Sequence, residues 1–273
     1  MRRLRAALCL GICVLLSSGS MAADAELEIP DEFREGVRLA SLRGQALHAS
    51  DVAAALATDE MARQKVLKRD KRLRGWLTAP GGAGEMAAVD FIGEEGGQFA
   101  VVYRLRMPAD RGRPAFEKME SPVPLTDGQA ALWRARQGAS DALSKRDDLC
   151  SERYNTVVMP PDQTGHIFVY LLAATTRDDE VVAGGHFRYE FSGDGQTLLS
   201  QRGFTKSCFT LKVPNAGNGS RVASLFMTHL LDSTPTEVHV FLSLLHAQGL
   251  YVGTERFLWS VNDEKIRLVE RLQ

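Results

Sequence analysis

The hydrophobic period of this chain changes at Pro80-Gly81-Gly82-Ala83-Gly84. Before that punctuation the apolar residues follow a helical spacing, with Val52-Ala53-Ala54-Ala55-Leu56 in one run and Ala62, Val66, Leu73 and Leu77 as a stripe. After it they alternate. Phe99, Val101, Tyr103, Leu105 and Met107 fall on one face, and Ala100, Val102, Arg104 and Arg106 on the other. A period near 3.6 specifies a helix and a period of 2 a half-buried strand. A chain that holds both periods in separate segments is neither all-helical nor all-strand, so the fold class read from it is α+β.

The segments follow from local signals. A helix is predicted from near Asp31 to Ala49, with Ser50-Asp51 as a new N-cap, and a third helix over 59–77 behind Thr58, with Asp59 and Glu60 in its first turn. Met86 to Ile92 and Phe99 to Met107 read as an antiparallel hairpin, with Ala115 to Met119 as a third strand. Thr126-Asp127-Gly128-Gln129 is a capping box, opening a helix that carries Leu132, Trp133, Ala139 and Leu143. The charged run Lys145-Arg146-Asp147-Asp148 separates a helical and β-hairpin region, 23–147, from an antiparallel β region, 148–273, and the two regions can also form one domain.

In that second region Ile167 to Ala174 is apolar on both faces, as a central strand must be. Gly184 to Ser192 alternates, Gly193-Asp194-Gly195 turns, and Thr197 to Arg202 returns. Val222 to Leu231 and Thr236 to Leu245 read as a further strand pair around Asp232-Ser233-Thr234-Pro235, and Phe257 to Val261 and Ile266 to Val269 close the chain. The spacing predicts a sandwich or a partly closed barrel, without βαβ units.

The first residues give an address. Met1-Arg2-Arg3-Leu4-Arg5 is basic, Ala6 to Leu16 is apolar, and Ser17-Ser18-Gly19-Ser20-Met21-Ala22 is small. The apolar stretch covers about half a bilayer core as a helix, too short for an anchor. It reads as a signal peptide, 1–22, cleaved after Ala22, for a bacterial-type export route ending in the periplasm or outside the cell. Neither Cys9 nor Cys13 has the small preceding residue of a lipoprotein signal. No later segment can span a membrane, so a soluble exported chain is expected. Cys150 and Cys208 are then the only cysteines left, and in an oxidising compartment two such cysteines pair.

Net charge is −1 over 273 residues and falls to −4 once three arginines leave with the signal. No global basic field invites nucleic acid. Gly-x-Ser-x-Gly, the phosphate-binding glycine loop, His-Glu-x-x-His and the EF-hand loop are all absent from the sequence, and no cofactor is expected.

Three constellations carry chemistry. On 186–202, His186, Arg188 and Glu190 alternate with Phe187, Tyr189 and Phe191. With Ser192 paired to Gln196, Arg188 faces Ser200 and His186 faces Arg202, which suits an anion or carboxylate pocket with His186 as acid–base partner. The predicted hairpin of 222–231 and 236–245 sets His229 opposite His239 with Glu237 on the same face, a donor set for Zn²⁺ or a similar ion. Arg63, Lys65, Lys68, Arg69, Lys71, Arg72 and Arg74, with Trp76, give the 59–77 helix a basic face that can touch a membrane surface. The function read from all this is an exported envelope protein that binds a small ligand or a protein partner without catalysis. The alternatives are a hydrolase or lyase at the His/Arg or His/His site, and a secreted interaction factor or inhibitor.

Overall fold

A computed structural model describes residues 27–81, 86–109, 112–174, 177, 179–213 and 224–272. Residues 1–22, expected to be a signal peptide, lie outside them. The chain is α+β, with mostly antiparallel sheets. Helix α1 runs unbroken over Asp31–Arg63, followed by a single turn, α2, at Val66–Arg69. Four strands then form a meander: β1 Leu73–Pro80, β2 Met86–Glu95, β3 Gln98–Arg106 and β4 Ala115–Pro124. Helix α3, Asp127–Leu143, opens with the capping box, Thr126 and Gln129 each bonding the other's backbone N–H.

The second half holds β5 Tyr154–Met159, β6 Ile167–Ala173, β8 Phe187–Phe191 and β9 Leu198–Gly203 as one sheet in that order. A two-stranded ribbon joins β7 Glu180–Val182 to β10 Thr210–Lys212. The last sheet is β11 Ser224–Thr228, β12 Gly249–Gly253, β13 Phe257–Asn262 and β14 Lys265–Arg271.

Strand β6 explains how these pieces cohere. All seven of its residues are buried. Phe168, Tyr170 and Leu172 face a core shared with α1, the last sheet and helix α4, Glu237–His246. Ile167, Val169 and Leu171 face a second core under α3 that also takes Leu77, Ile92 and Val101 from the first meander. A third core packs α1 on the other side of that meander, with Ala57, Met61, Val89 and Leu105 fully buried. Elements on both sides of the 145–148 run therefore share cores.

Three expectations change. The N-cap at Ser50-Asp51 is not used, because the helix continues through it: Ser50 and Asp51 are buried, and Asp51 accepts from the Asn155 amide at 2.9 Å. The 59–77 helix is only partly there: 59–63 are the end of α1 and 66–69 are α2, but 73–77 are strand. The chain leaves α1 at Lys65, which is left-handed (φ 58°), and residues 73–80 pair with β2 as a strand. Tertiary pairing overrides helix propensity there, and three of the basic residues enter ion pairs: Arg63 to Glu60, Arg72 to Asp70 and Glu95, Arg74 to Glu94. The continuous helical face on which membrane-surface contact was expected is thereby interrupted, although Lys65, Lys68, Arg69 and Lys71 stay exposed. Finally, residues 237–246 form helix α4, so β11, α4 and β12 make a parallel crossover where an antiparallel hairpin was expected. Thr236, following Pro235, caps that helix, whose buried apolar residues Val238, Val240, Phe241 and Leu242 suit either period.

Candidate functional site

The turn at 193–196 sets the geometry of the 186–202 region. Asp194 accepts from Ser192 Oγ and from the Gln196 N–H, and the Ser192 N–H donates to the Thr197 carbonyl. Ser192 thus meets Thr197, not Gln196, and a bulge follows between Glu190 and Phe191. Arg188 lies directly opposite Arg202, and Glu190 opposite Ser200. The aromatic face is in the core as read: Phe187, Tyr189 and Phe191 are buried.

The two guanidiniums share a face, and both are occupied by the protein's own carboxylates. Arg188 donates to Glu237 Oε1 at 2.8 Å, an oxygen that also accepts from the Tyr170 hydroxyl at 2.9 Å. Arg202 donates to Asp232 at 2.6 Å and lies over the Phe204 ring. Asp232 also takes His229 Nε2 at 2.7 Å, and despite its burial these two partners hold its carboxyl well below the usual range. Glu190 points to the other end of the strand, to Ser200 Oγ at 2.6 Å and His166 Nδ1 at 2.7 Å, and its pKa is lowered by those bonds.

His186 does not join them. It is fully buried, its Nδ1 accepts from the Ala173 N–H at 3.1 Å, and its Nε2 donates to the Val182 carbonyl at 2.9 Å. Desolvation pulls its pKa down to about 4. The Gly184-Gly185 pair beside it makes room for the cysteines. A Cβ on Gly185 would overlap Cys150, and one on Gly184 would come 2.8 Å from the Phe209 nitrogen, next to Cys208. The Cys150 and Cys208 Sγ atoms are 2.07 Å apart, at disulfide distance.

His229 and His239 do come together, from the end of β11 and the start of α4, with ring centroids 4.8 Å apart and nearly perpendicular. The third expected ligand is elsewhere, since Glu237 serves Arg188 and Tyr170. His239 Nδ1 accepts from the Thr236 N–H, and burial pulls its pKa down to about 3. Among the described residues no group of three or more His, Cys, Asp or Glu side chains is arranged to hold a metal.

The cavity that adjoins these groups was not among the sequence candidates. A groove of about 430 Å³ runs between residues 204–211 and 226–231. Phe204, Phe209, Leu211, Phe226, Met227, Leu230 and Leu231 supply apolar walls, Thr205, Lys206, Ser207 and Thr228 a polar edge, and His229 lies at its base. Phe226 is 60% exposed and Leu230 78%. The signal for it was present, since Leu225, Phe226 and Met227 are apolar on both faces of a strand followed by Leu230-Leu231. A second, charged groove of about 700 Å³ lies where Lys145, Arg146 and Asp147 meet Gln196 and Gln201. No family model, curated protein or solved structure matches the chain.

Proposed function

We propose that this is an exported envelope protein that binds, without catalysis, an apolar small ligand or the apolar side chains of a partner in the groove between residues 204–211 and 226–231. The observation that carries the reading is the groove itself. It combines aromatic and aliphatic walls with a short polar edge, and its volume is of the order that small-molecule sites have, roughly 300–1,000 Å³. Its most exposed residues, Phe226 and Leu230, are side chains that water disfavours and that no core uses.

The surrounding polar groups support binding over chemistry. Arg188, Arg202, Glu237 and Asp232 neutralise one another, and both ring nitrogens of His186 are engaged out of solvent reach. A hydrolase or lyase at His186 would need a free nitrogen within reach of substrate. The His229–Asp232 pair fixes the groove's floor, since Asp232 also ties it to Arg202.

Native mass spectrometry of the exported protein, with titration of an apolar fluorescent probe, tests the reading. Saturable binding is expected, and Phe226→Ser or Leu230→Ser should weaken it at least fivefold while leaving stability within about 0.5 kcal/mol, as exposed positions do. Equal binding by wild type and both variants would sink the assignment to this groove.

A further inference from the structure

The groove between residues 204–211 and 226–231 is uneven in polarity, and the unevenness bears on what fills it. Phe204 and Met227 belong to the core shared with α1 and α4, and Phe209 and Leu211 pack against that core. The inner wall is therefore continuous with buried apolar surface. Of the two ionisable lining residues, His229 lies on this side, buried, with its Nε2 held by Asp232 at 2.7 Å. An ion placed against that wall would lose its water and gain no partner.

The outer edge differs. Thr205, Lys206 and Ser207 follow one another there, and Lys206 is exposed. Among the described residues, none that lines the groove is Asp or Glu, and no carboxylate lies within ion-pair distance of Lys206. Arg188 and Arg202, by contrast, are each taken up by a carboxylate. The Thr205 hydroxyl oxygen accepts from the Gly185 N–H at 3.1 Å, which leaves its own O–H to donate. Cys208, two residues beyond Lys206, is at disulfide distance from Cys150, so this edge is fixed before a ligand arrives. It presents donors and one positive charge, with no negative charge among them.

We propose that the ligand of this groove is a single-chain amphiphile with an anionic head, its apolar tail against Phe204, Phe209, Leu211 and Met227 and its carboxylate or phosphate at Lys206. The proposal rests on the groove being the binding site. A neutral ligand would leave Lys206 without a counter-charge, and a cationic head would meet repulsion there. The buried CH₂ groups of the tail supply affinity, and the sign of the edge selects the head.

The test uses the full chain carrying the neutral fluorescent probe N-phenyl-1-naphthylamine. Octanoate, octyl phosphate, octanol, octylammonium and acetate compete for it at low, constant ionic strength. At least one of the two octyl anions should displace the probe at a concentration about fivefold below that of octanol, the scale of one exposed ion pair. Octylammonium should need more than octanol, and acetate, a head without a tail, should not compete. Without a head-group site the order reverses, because a carboxylate is better hydrated than a hydroxyl. Lys206→Gln should remove the preference and Lys206→Arg should keep it; the position is exposed, so both variants fold. A preference for octanoate alone marks a carboxylate head, and one for octyl phosphate alone a phosphate ester. Octanol competing as well as both anions, acetate competing as well as octanoate, or a preference that survives Lys206→Gln overturns the proposal and leaves the apolar groove standing. A wild-type chain that does not bind the probe overturns the groove itself and this proposal with it.

Discussion

Glu237 shows how far a single side chain can differ from its reading in sequence. As a candidate metal ligand it belonged with two histidines; in the structure it is buried and holds Tyr170 and Arg188 on one oxygen. Truncating one partner of a buried charge pair leaves the other uncompensated, which costs about 3–5 kcal/mol. Glu237→Ala should therefore lower the unfolding free energy by about that much in urea titrations, and Glu237→Gln, which keeps an oxygen for Tyr170, by about 1–3 kcal/mol. Arg188→Ala should cost about 3 kcal/mol as well. The alternation of 186–192 gives no hint of that, because a solvated charge and a paired one have the same spacing. Two histidines set a pH dependence. His186 and His239 are held neutral by burial, with folded pKa values of about 4 and about 3 against an ordinary 6.5. Their stabilisation is complete above pH 6.5, and it is lost as pH falls through 6.5 towards those folded values, since only the unfolded chain takes up the protons there. The slope reaches about 1.4 kcal/mol per pH unit for each histidine. Urea unfolding between pH 7.5 and 5 should show stability falling with acidity, and a flat profile would refute the assignment.

At the scale of elements, the legible parts were those where one period held without competition. The fully buried β6, the capping box of α3 and the aromatic face of β8 follow directly from residue spacing, whereas the β2–β3 hairpin was legible as a hairpin but not as one face: a bulge at Phe91/Ile92 sends Phe99 and Val101 to one core and Tyr103, Leu105 and Met107 to another. The parts that did not were settled by tertiary contact. Leu73 and Leu77 continue a helical stripe, yet their segment gains a full strand pairing with β2. Val238, Val240 and Leu242 alternate as a strand would, yet the helix they form buries them against α1. That contact is close enough to test. Gly44 of α1 faces Val240, and a Cβ there would stand 2.5 Å from Val240 Cβ and 2.8 Å from the Glu237 carbonyl. Gly44→Ala should destabilise by about 1–3 kcal/mol, the overpacking cost exceeding the gain in helix propensity. Gly36 sits on the same helix with nothing within 4 Å of an added Cβ, so Gly36→Ala should stabilise by about 0.5–1 kcal/mol. Matched chemical denaturation of the two variants reads the difference, and a stabilising Gly44→Ala would mean that α1 and α4 do not cross where the structure has them.

Over the whole molecule, the Cys150–Cys208 link and the shared cores do different work. The cores tie the meander, the central sheet and the last sheet through α1, α3 and β6, and they need no covalent help. The cysteine pair, 58 residues apart, closes the chain around β5 to β9 and fixes the approach to β10. Ser207 and Phe209, on either side of Cys208, line the apolar groove. Loop-closure entropy puts the stabilisation from such a link at about 4 kcal/mol, and domains of this kind have about 5–15 kcal/mol in total. A Cys150→Ser/Cys208→Ser double variant should therefore still fold, with its urea midpoint lowered by the equivalent of about 4 kcal/mol. The loss should not be uniform. β6 is buried on both faces and should exchange its amides only as fast as the global change requires. Residues 204–211 lose their covalent tether and should exchange faster than that change explains, because local opening no longer has to break the link. Probe binding in the groove should weaken along with them. Hydrogen exchange followed by mass spectrometry separates the two regions: a uniform increase across β6 and 204–211 would show that the link stabilises the fold without holding the groove's wall.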